Sequence, residues 1–451
     1  MDQVLEERDA ADWVYRGEGA ANIVVAYTGS SPALAGKVLR IQKVPEKESN
    51  FIHGSAFSAN ERLLWKDHKE LVLSPTRDMA AQLYLEHVMS PLLGSKHVDA
   101  GIQVLVSQEF LEAVEENING RRPVWRINAA KVNRDCKHAL LLSDHSCFPR
   151  GIMNDEPCIS IEIKPKCGFL PSSRYIAKRN AIKRSITRFK MHQALKFHDK
   201  EVSKISDYDP LDLFSGSKDR MYKALKALYD TPQNNFRVFM DGSLILGDLG
   251  GSADSTTRVI GENLEDVLKS IIQADDGLRT RRFLELIIEA VRKSGVLDRL
   301  LDVQKLDTYN IEGAIHAYYN IVSRPCIVCK ELGEDGWFHK RNSLHSLSLE
   351  ESLKIVKDFL ISATVKDCSL MICFRPRGAA SDSSFSSVHL ESTGQFFDYK
   401  AFFIDLDLKP LDKMEHYYKL DQKIVRWYTQ IARDECSDKR DGCIELYSNT
   451  N

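Results

Sequence analysis

The chain has 451 residues, 43% of them apolar and 28% charged, with a formal net charge of −2. That length exceeds what one hydrophobic core ordinarily holds, so two lobes are expected. The near-neutral balance excludes bulk attraction to nucleic acid or a membrane surface, and no apolar run is long enough to span a bilayer.

The first residues, Met1-Asp2-Gln3-Val4-Leu5-Glu6-Glu7, are acidic and carry no signal-peptide pattern. The ten scattered cysteines fit reduced thiols better than a disulfide framework. A cytoplasmic and/or nuclear monomer is expected. Ala21 to Tyr27 and Gly36 to Gln42 read as paired strands around a Gly/Ser/Pro turn. Helical patterns follow near Asn60 to Glu70 and Ala80 to Leu93, and Val124 to Val132 and His138 to Leu142 read as strands. Ser143-Asp144-His145 breaks the apolar run and places a hinge there, giving lobes at 1–143 and 144–451. Ile159, Ile161 and Ile163 alternate with polar residues, which predicts a strand with Glu162, Lys164 and Lys166 on one face; Pro165 belongs at an edge or at the strand's end. A basic helix is predicted over Tyr175 to His198, a Gly/Ser/Asp loop over Gly247 to Thr257, and a Ser-rich loop over Ser381 to Ser387. Ser348 and Glu351 form a capping-box pattern before a helix, Ser369 to Phe374 and Ala401 to Leu406 read as strands, and Asp412 to Arg433 as a last helix before a frayed polar tail beyond Cys436.

Three constellations carry chemistry. Arg16-Gly-Glu-Gly19-Ala20-Ala21-Asn22 precedes a strand, and its glycines allow backbone amides close to phosphates. Arg40 stands on the next strand, where kinases place a cation on nucleotide phosphates, and Asp367 and Asp405 flank two later strands like a base and a metal ligand. Basic and amide groups recur beside these elements: Arg126, Lys164, Lys166, Arg188, Lys190, Lys196, Asn234, Asn235, Arg237, Lys409, Lys413 and the neighbouring Tyr417. Taken singly each is an ordinary surface group. Repeated around one cleft, they suit a small molecule bearing several phosphates. Finally, Cys326-Ile-Val-Cys329, His316 and either His345 or His339 offer two thiolates and two imidazoles, a donor set for structural zinc; reduced core cysteines with unrelated histidines are the alternative.

These motifs resemble those of inositol-pentakisphosphate 2-kinases, plant enzymes in particular. The resemblance is carried by Glu162-Ile-Lys-Pro-Lys-Cys-Gly-Phe, Arg16-Gly-Glu-Gly19, Gly36-Lys-Val-Leu-Arg40 and Gln233-Asn-Asn-Phe-Arg237. It implies an α/β (α+β), two-lobed kinase-like fold with ATP in the interlobe cleft and a zinc site in the C-lobe. It implies ATP-dependent phosphorylation of the 2-hydroxyl of inositol 1,3,4,5,6-pentakisphosphate to the hexakisphosphate, phytate. By position, Asp367 becomes the base and Asp405 the magnesium ligand. Gly19, Ala20, Asn22, Arg40, Asp144, His145, Glu162 and Arg237 surround the nucleotide. Arg126, Lys164, Lys166, Lys196, Asn234, Lys409, Lys413 and Tyr417 hold inositol phosphates. His316, Cys326, Cys329 and His345 hold zinc, which favours His345 over His339. The chain departs from the plant pattern after Arg40, where Val44-Pro45-Glu46-Lys47 replaces arginines and Lys43 or Lys47 becomes the substitute, and at Lys413, where a relative has arginine. A catalytically weak inositol phosphate sensor on the same scaffold is the competing reading. A protein kinase is opposed by the lack of H-R-D and D-F-G, and a zinc-dependent interaction protein by the length of chain unrelated to the metal motif.

Overall fold

The computed structural model describes residues 4–19, 21–45, 56–148, 157–247, 264–331, 344–378 and 384–445. Ala20, Lys47, His339, residues 248–257 of the Gly/Ser/Asp loop and 381–383 of the Ser-rich loop lie outside these. Among the described residues, no helix is long and apolar enough to cross a membrane.

Two sheets organise the α/β chain. The first contains β1 (Val4–Leu5), β2 (Trp13–Glu18), β3 (Asn22–Tyr27), β4 (Lys37–Pro45), β5 (Ile102–Val106), β6 (Ala130–Val132) and β7 (His138–Ser143). Its order is β1-β5-β7-β4-β3-β2, with β6 paired to β4. The second contains β8 (Ile159–Ile163), β9 (Phe236–Met240), β10 (Ser243–Leu246), β11 (Ser369–Pro376), β12 (Ser386–Leu390) and β13 (Gln395–Ile404), in the order β10-β9-β8-β11-β13-β12. The first sheet closes its core with Trp13, Ile23, Leu39 and Phe110, from the helix Gln108–Asn119. The second sheet buries Ile161, Val238, Ile372 and Phe397 against the helices Arg279–Ser294, Asn310–Val322 and Leu349–Val365. Trp65, Tyr84 and Met89, from the helical stretch that precedes β5, join this second core. A parallel bridge between Val98 and Phe403 and a hydrogen bond from His97 Nδ1 to the Ala401 carbonyl, 2.8 Å, fasten that stretch to β13.

Several local expectations are corrected. Val124 to Val132 is not one strand: Val124–Ala129 is a helix, and only Ala130–Val132 pairs as β6. Pro123 starts that helix, its carbonyl accepting from Arg126 and Ile127, and the apolar Val124 and Trp125 remain exposed, so no sheet face holds them in an extended form. Arg126 is therefore helical. The basic helix divides into a 3-10 segment, Lys178–Arg184, and an α-helix, Arg188–His198, because the Thr187 side chain accepts from Lys190 N and starts a new helix. A π-type turn, Leu85–Met89, interrupts the stretch to Leu93. The last helix continues from Met414 through Glu445, past the expected fraying point. The Ser348 capping box forms as the pattern predicts.

The lysine strand is also corrected. β8 is central, buried at every position, and ends at Ile163. Pro165 thus follows the strand and costs no ladder bond. Lys164 and Lys166 sit beyond its end, and Lys166 takes a left-handed φ of 60°. What fixes this bend is Gln304, which is fully buried. Its Nε2 donates to the Lys166 carbonyl at 2.7 Å and lies 3.4 Å from that of Val365, while its Oε1 accepts from Gly168 N at 2.8 Å. One carboxamide thereby joins the lysine bend to the end of the helix that leads into Asp367. Replacing Gln304 with Leu strands buried backbone groups, so Gln304→Leu is expected to lose about 3 kcal/mol of stability, measurable by denaturant unfolding.

Candidate active site

Strand register brings the chemistry together. β11 runs antiparallel between β8 and β13, with Leu370 opposite Ile163 and Ser369 opposite Ile404. The end of β8, the start of β11 and the end of β13 therefore lie side by side. Lys164, Asp367 and Asp405 follow from those three ends. Lys164 Nζ lies 3.2 Å from Asp405 Oδ2, Lys166 Nζ 3.6 Å from Asp367 Oδ1, and Lys409 Nζ 3.5 Å from Asp367 Oδ2. Glu162, buried one strand position earlier, accepts from Arg237 Nη1 at 3.0 Å and from Ser369 Oγ at 2.8 Å.

Two cavities meet here. The first, about 440 Å³, lies between the sheets and is lined by Gly19, Arg40, Arg126, Asp144, His145, Glu162, Lys164, Arg237 and Asp405. Apolar walls come from Val38, Leu142, Met371 and Phe403. The second, about 410 Å³, is lined by Arg188, His192, Lys196, Lys366, Lys409 and Tyr417. Lys166, Asn234 and Asp367 line both, so the Asp367 carboxylate stands at their junction. Lys413 lines neither cavity, and Arg126 lines the first rather than the second. Asn22 lies outside both linings and beside Arg40: with its carboxamide oxygen turned inward it accepts from Nη2 at 2.6 Å and Nε at 3.0 Å.

The Gly-rich turn is held from behind. Glu18 is buried between Arg122 Nε, 3.0 Å, and Lys43 Nζ, 2.6 Å. Lys43 Nζ also donates to the Gly19 carbonyl at 2.7 Å, and Arg126 Nη1 to the same oxygen at 3.0 Å. Lys43 is consequently committed to the turn and is not free to replace a loop arginine on a ligand.

Charge is balanced group by group. Burial pushes the Asp405 carboxyl up, but Lys164 and Arg40 outweigh it and hold it below the usual carboxylate range. Burial likewise raises Asp367, and Lys166, Lys409 and Lys164 reverse the effect and keep it ionised. Lys166 shifts the other way. Burial lowers it to about 8, with Asp367 opposing and Lys164 and Lys196 reinforcing the drop.

Sequence reasoning missed Asp407, which pairs with Arg40 across the sheets, and Asp99. The latter accepts from His145 Nε2 at 3.1 Å and from Ser143 N at 3.0 Å, orienting an imidazole that stacks on Phe402. Neither falls in a motif; only pairing across distant segments reveals them.

A separate cluster joins the helices Asn310–Val322 and Ile327–Glu331 to His345. Ligand atoms of His316, Cys326, Cys329 and His345 all lie within 4.8 Å of one another. His316 Nδ1 is 3.1 Å from His345 Nε2 and 3.5 Å from each sulfur, and Cys329 Sγ is 3.3 Å from His345 Nε2. Tetrahedral zinc with bonds of about 2.0–2.3 Å needs donor separations of about 3.3–3.8 Å; the three sulfur–nitrogen distances fall in that range and the nitrogen–nitrogen distance just short of it, so the donor set is compatible with zinc. Asn320 Oδ1, 2.9 Å from His345 Nδ1, orients the ring as outer-sphere partners of metal-bound histidines do.

The family model for inositol-pentakisphosphate 2-kinase matches residues 15–423. The chain belongs to the inositol-pentakisphosphate 2-kinase family. It is 54% identical to the "Inositol-pentakisphosphate 2-kinase" of Arabidopsis thaliana, over 96% of this chain and 97% of that protein. It is also 54% identical to "Inositol-pentakisphosphate 2-kinase IPK1" of Oryza sativa subsp. indica, over 95% and 96%, and 30% identical to the Danio rerio "Inositol-pentakisphosphate 2-kinase", over 95% of each. The matched span includes both cavities and the His/Cys cluster.

The position of Lys166 gives a pH prediction. Below about pH 8 its ammonium is present in the free site; above, an arriving polyphosphate must draw a proton back onto it. Affinity for a polyphosphate anion is expected to weaken between pH 7 and pH 9. Titration calorimetry at the two values checks this, and Lys166→Arg, charged throughout, should flatten the dependence.

Proposed function

We infer that the protein transfers the γ-phosphoryl group of ATP to the 2-hydroxyl of inositol 1,3,4,5,6-pentakisphosphate, giving the hexakisphosphate. Family membership supports the activity. The observation that carries the mechanism is the junction of two cavities at Asp367, one with apolar walls and a Gly-rich lip, the other lined by cations. In this reading the fold works as a two-lobed kinase. Residues to 143 supply the nucleotide-side lobe and the remainder the substrate side, with the helices before β5 packed on the latter. The partners are two small molecules, and no nucleic acid, membrane or second chain is needed.

ATP takes the first cavity, its base against Val38, Leu142, Met371 and Phe403 near His145, and its phosphates toward Gly19, Arg40 and Arg237, with Asn22 supporting Arg40. Arg40 exchanges its pairing with Asp407 for phosphate oxygens. The Asp405 carboxylate, which lines the cavity, would hold magnesium, and the ion would supply neutralisation of phosphate charge. Glu162 fixes Arg237 and Ser369 beside it. The pentakisphosphate takes the second cavity, where Lys166, Lys196, Asn234, Lys409 and Tyr417 bind its phosphates, and Lys164, which lines the first cavity, reaches it from the junction. Arg126 would reach it from the rim of the first. Lys413 stands further out and offers a point charge rather than a fork.

Register of the phosphates among these cations leaves one hydroxyl facing Asp367. That carboxylate is ionised but, held low by three lysines, is a weak base. It accepts the hydroxyl hydrogen bond, aligns the oxygen, and takes the proton as the bond to the γ-phosphorus forms and the bond from that phosphorus to the bridging oxygen breaks, releasing ADP. Positioning and charge neutralisation, not base strength, provide the acceleration. Zinc on His316, Cys326, Cys329 and His345 would be structural, since four protein ligands leave no open position.

Incubation with ATP, magnesium and the pentakisphosphate should yield the hexakisphosphate by chromatography. Binding without product would leave the sensor reading in its place. Asp367→Ala is expected to reduce kcat by about 100-fold or more while the pentakisphosphate still binds in calorimetry; near-wild-type turnover would remove Asp367 from its role. Metal analysis should find zinc at one per chain. Cys329→Ser or a strong chelator should lower Tm by several degrees, and an unchanged Tm with no zinc would make the cluster a reduced core.

A further inference from the structure

β2 carries Arg16 at an irregularity: Tyr15 pairs with Val25 while Gly17 pairs with Val24, leaving Arg16 as the extra residue. Such bulges re-aim a side chain. Here the guanidinium reaches out of the first sheet. Its Nη1 donates to the Gly242 carbonyl in the tight turn between β9 and β10, and its Nη2 donates to Asp144 Oδ2 at 2.9 Å, in the segment linking the sheets. One side chain thus joins the Gly-rich segment, the linker and the second sheet.

Both acceptors are themselves fixed. Gly242 is buried with φ 78° and follows Asp241 at φ 47°. Asp241 Oδ1 accepts from Cys158 N at 2.9 Å, and Asp241 N donates to the Cys158 carbonyl at 2.9 Å. A Cβ at position 242 would lie 2.7 Å from Arg16 Nη2 and 3.0 Å from Nη1, so a side chain there would push the guanidinium from its place. Asp144 is buried. Its Oδ1 accepts from Ser146 N at 2.9 Å, its N–H donates to the Gly36 carbonyl at 2.8 Å, and its own carbonyl accepts from Lys400 Nζ at 2.9 Å. Every polar group of Asp144 is already in use.

We propose that Arg16 is a positioning residue for the nucleotide: it holds the Arg16–Gly19 segment over the first cavity before any ligand arrives, and Asp144 acts by anchoring Arg16 rather than by offering its carboxylate to the nucleotide. This rests on the kinase reading above. Among the described residues β2 is an edge strand, with a neighbour only in β3 and no ladder on the outer side of the cavity's lip. The buried Glu18, Arg122 and Lys43 group holds its inner end, and Arg16 holds the cleft side. With both ends fixed, little remains to be ordered on binding, and that saved ordering cost appears as nucleotide affinity. Arg40 differs, because its partner Asp407 is half exposed and can be exchanged for phosphate.

Arg16→Ala, Arg16→Lys and Gly242→Ala test this in the full chain, with Tm and circular dichroism reporting that each folds. Steady-state kinetics at saturating pentakisphosphate should show KM for ATP raised about tenfold for Arg16→Ala, with kcat within about threefold, the pattern of lost ground-state binding. Gly242→Ala should reproduce it. The double variant should be no worse than Arg16→Ala alone, since both remove one contact. Arg16→Lys, with a single prong, should fall between. Without ligand, limited proteolysis should cut Arg16→Ala faster than wild type ahead of residue 143, and excess ADP should restore protection. Wild-type KM and cleavage in Arg16→Ala, or additive effects in the double variant, would overturn the proposal. Absence of hexakisphosphate formation by the wild type would instead sink the kinase reading, while the ADP-dependent cleavage pattern would still judge the clamp.

Discussion

Everything at the site depends on three strand ends lying level. β8, β11 and β13 are adjacent and antiparallel, and the pairing of Ser369 with Ile404 and Leu370 with Ile163 sets their register. A slip of one residue would turn Glu162 away from Ser369 and Arg237 and move every group beyond the ends. The burial of β8 on both faces makes such a slip costly, because Ile159, Ile161 and Ile163 would all leave their packing. The apolar core thus does the aiming. The ionisable groups are passengers on it, and Gln304 removes the remaining slack by binding the backbone of the lysine bend to the helix end before Asp367.

The free site shows how a protein of near-zero net charge keeps so many cations in one place. Five of its cations face a carboxylate: Lys164 faces Asp405, Lys166 and Lys409 face Asp367, Arg40 faces Asp407, and Arg237 faces Glu162. Burying these charges singly would be expensive, and pairing reduces that expense. The pairs differ in how easily they exchange. Glu162 is buried and keeps Arg237, whereas Asp367 and Asp405 line the cavities and Asp407 is half exposed, so these three can yield their partners to phosphate.

Much of this was legible in the sequence, for reasons that can be named. The Gly-rich turn, the β3–β4 pair, the Ser348 cap and the Cys-x-x-Cys are local signals, each decided within a few residues. Asp367 and Asp405 could be singled out because they border apolar runs. What was not legible depends on distant neighbours. Val124-Trp125-Arg126 reads as part of a strand, yet among the described residues it pairs with no ladder, and Pro123 starts a helix instead. Lys164 and Lys166 share a parity that suggested one strand face, but the strand stops at Ile163. Lys43 looked like a spare cation until Glu18 and the Gly19 carbonyl were found to hold it. Gln304, Asp407 and Asp99 belong to no pattern at all; their partners are far along the chain, and only the folded contacts give them meaning.

Lys166 and Asp405 both adopt φ 60° without being glycine. Side chains in that conformation cost about 1 kcal/mol or more relative to glycine. Any scheme that ranks substitutions by folded-state stability would therefore nominate glycine at 166 and 405 as improvements. Accepting them would make a sturdier protein with a hole where its reactive groups stood. Thermostabilised versions of this chain should leave those two backbone strains untouched.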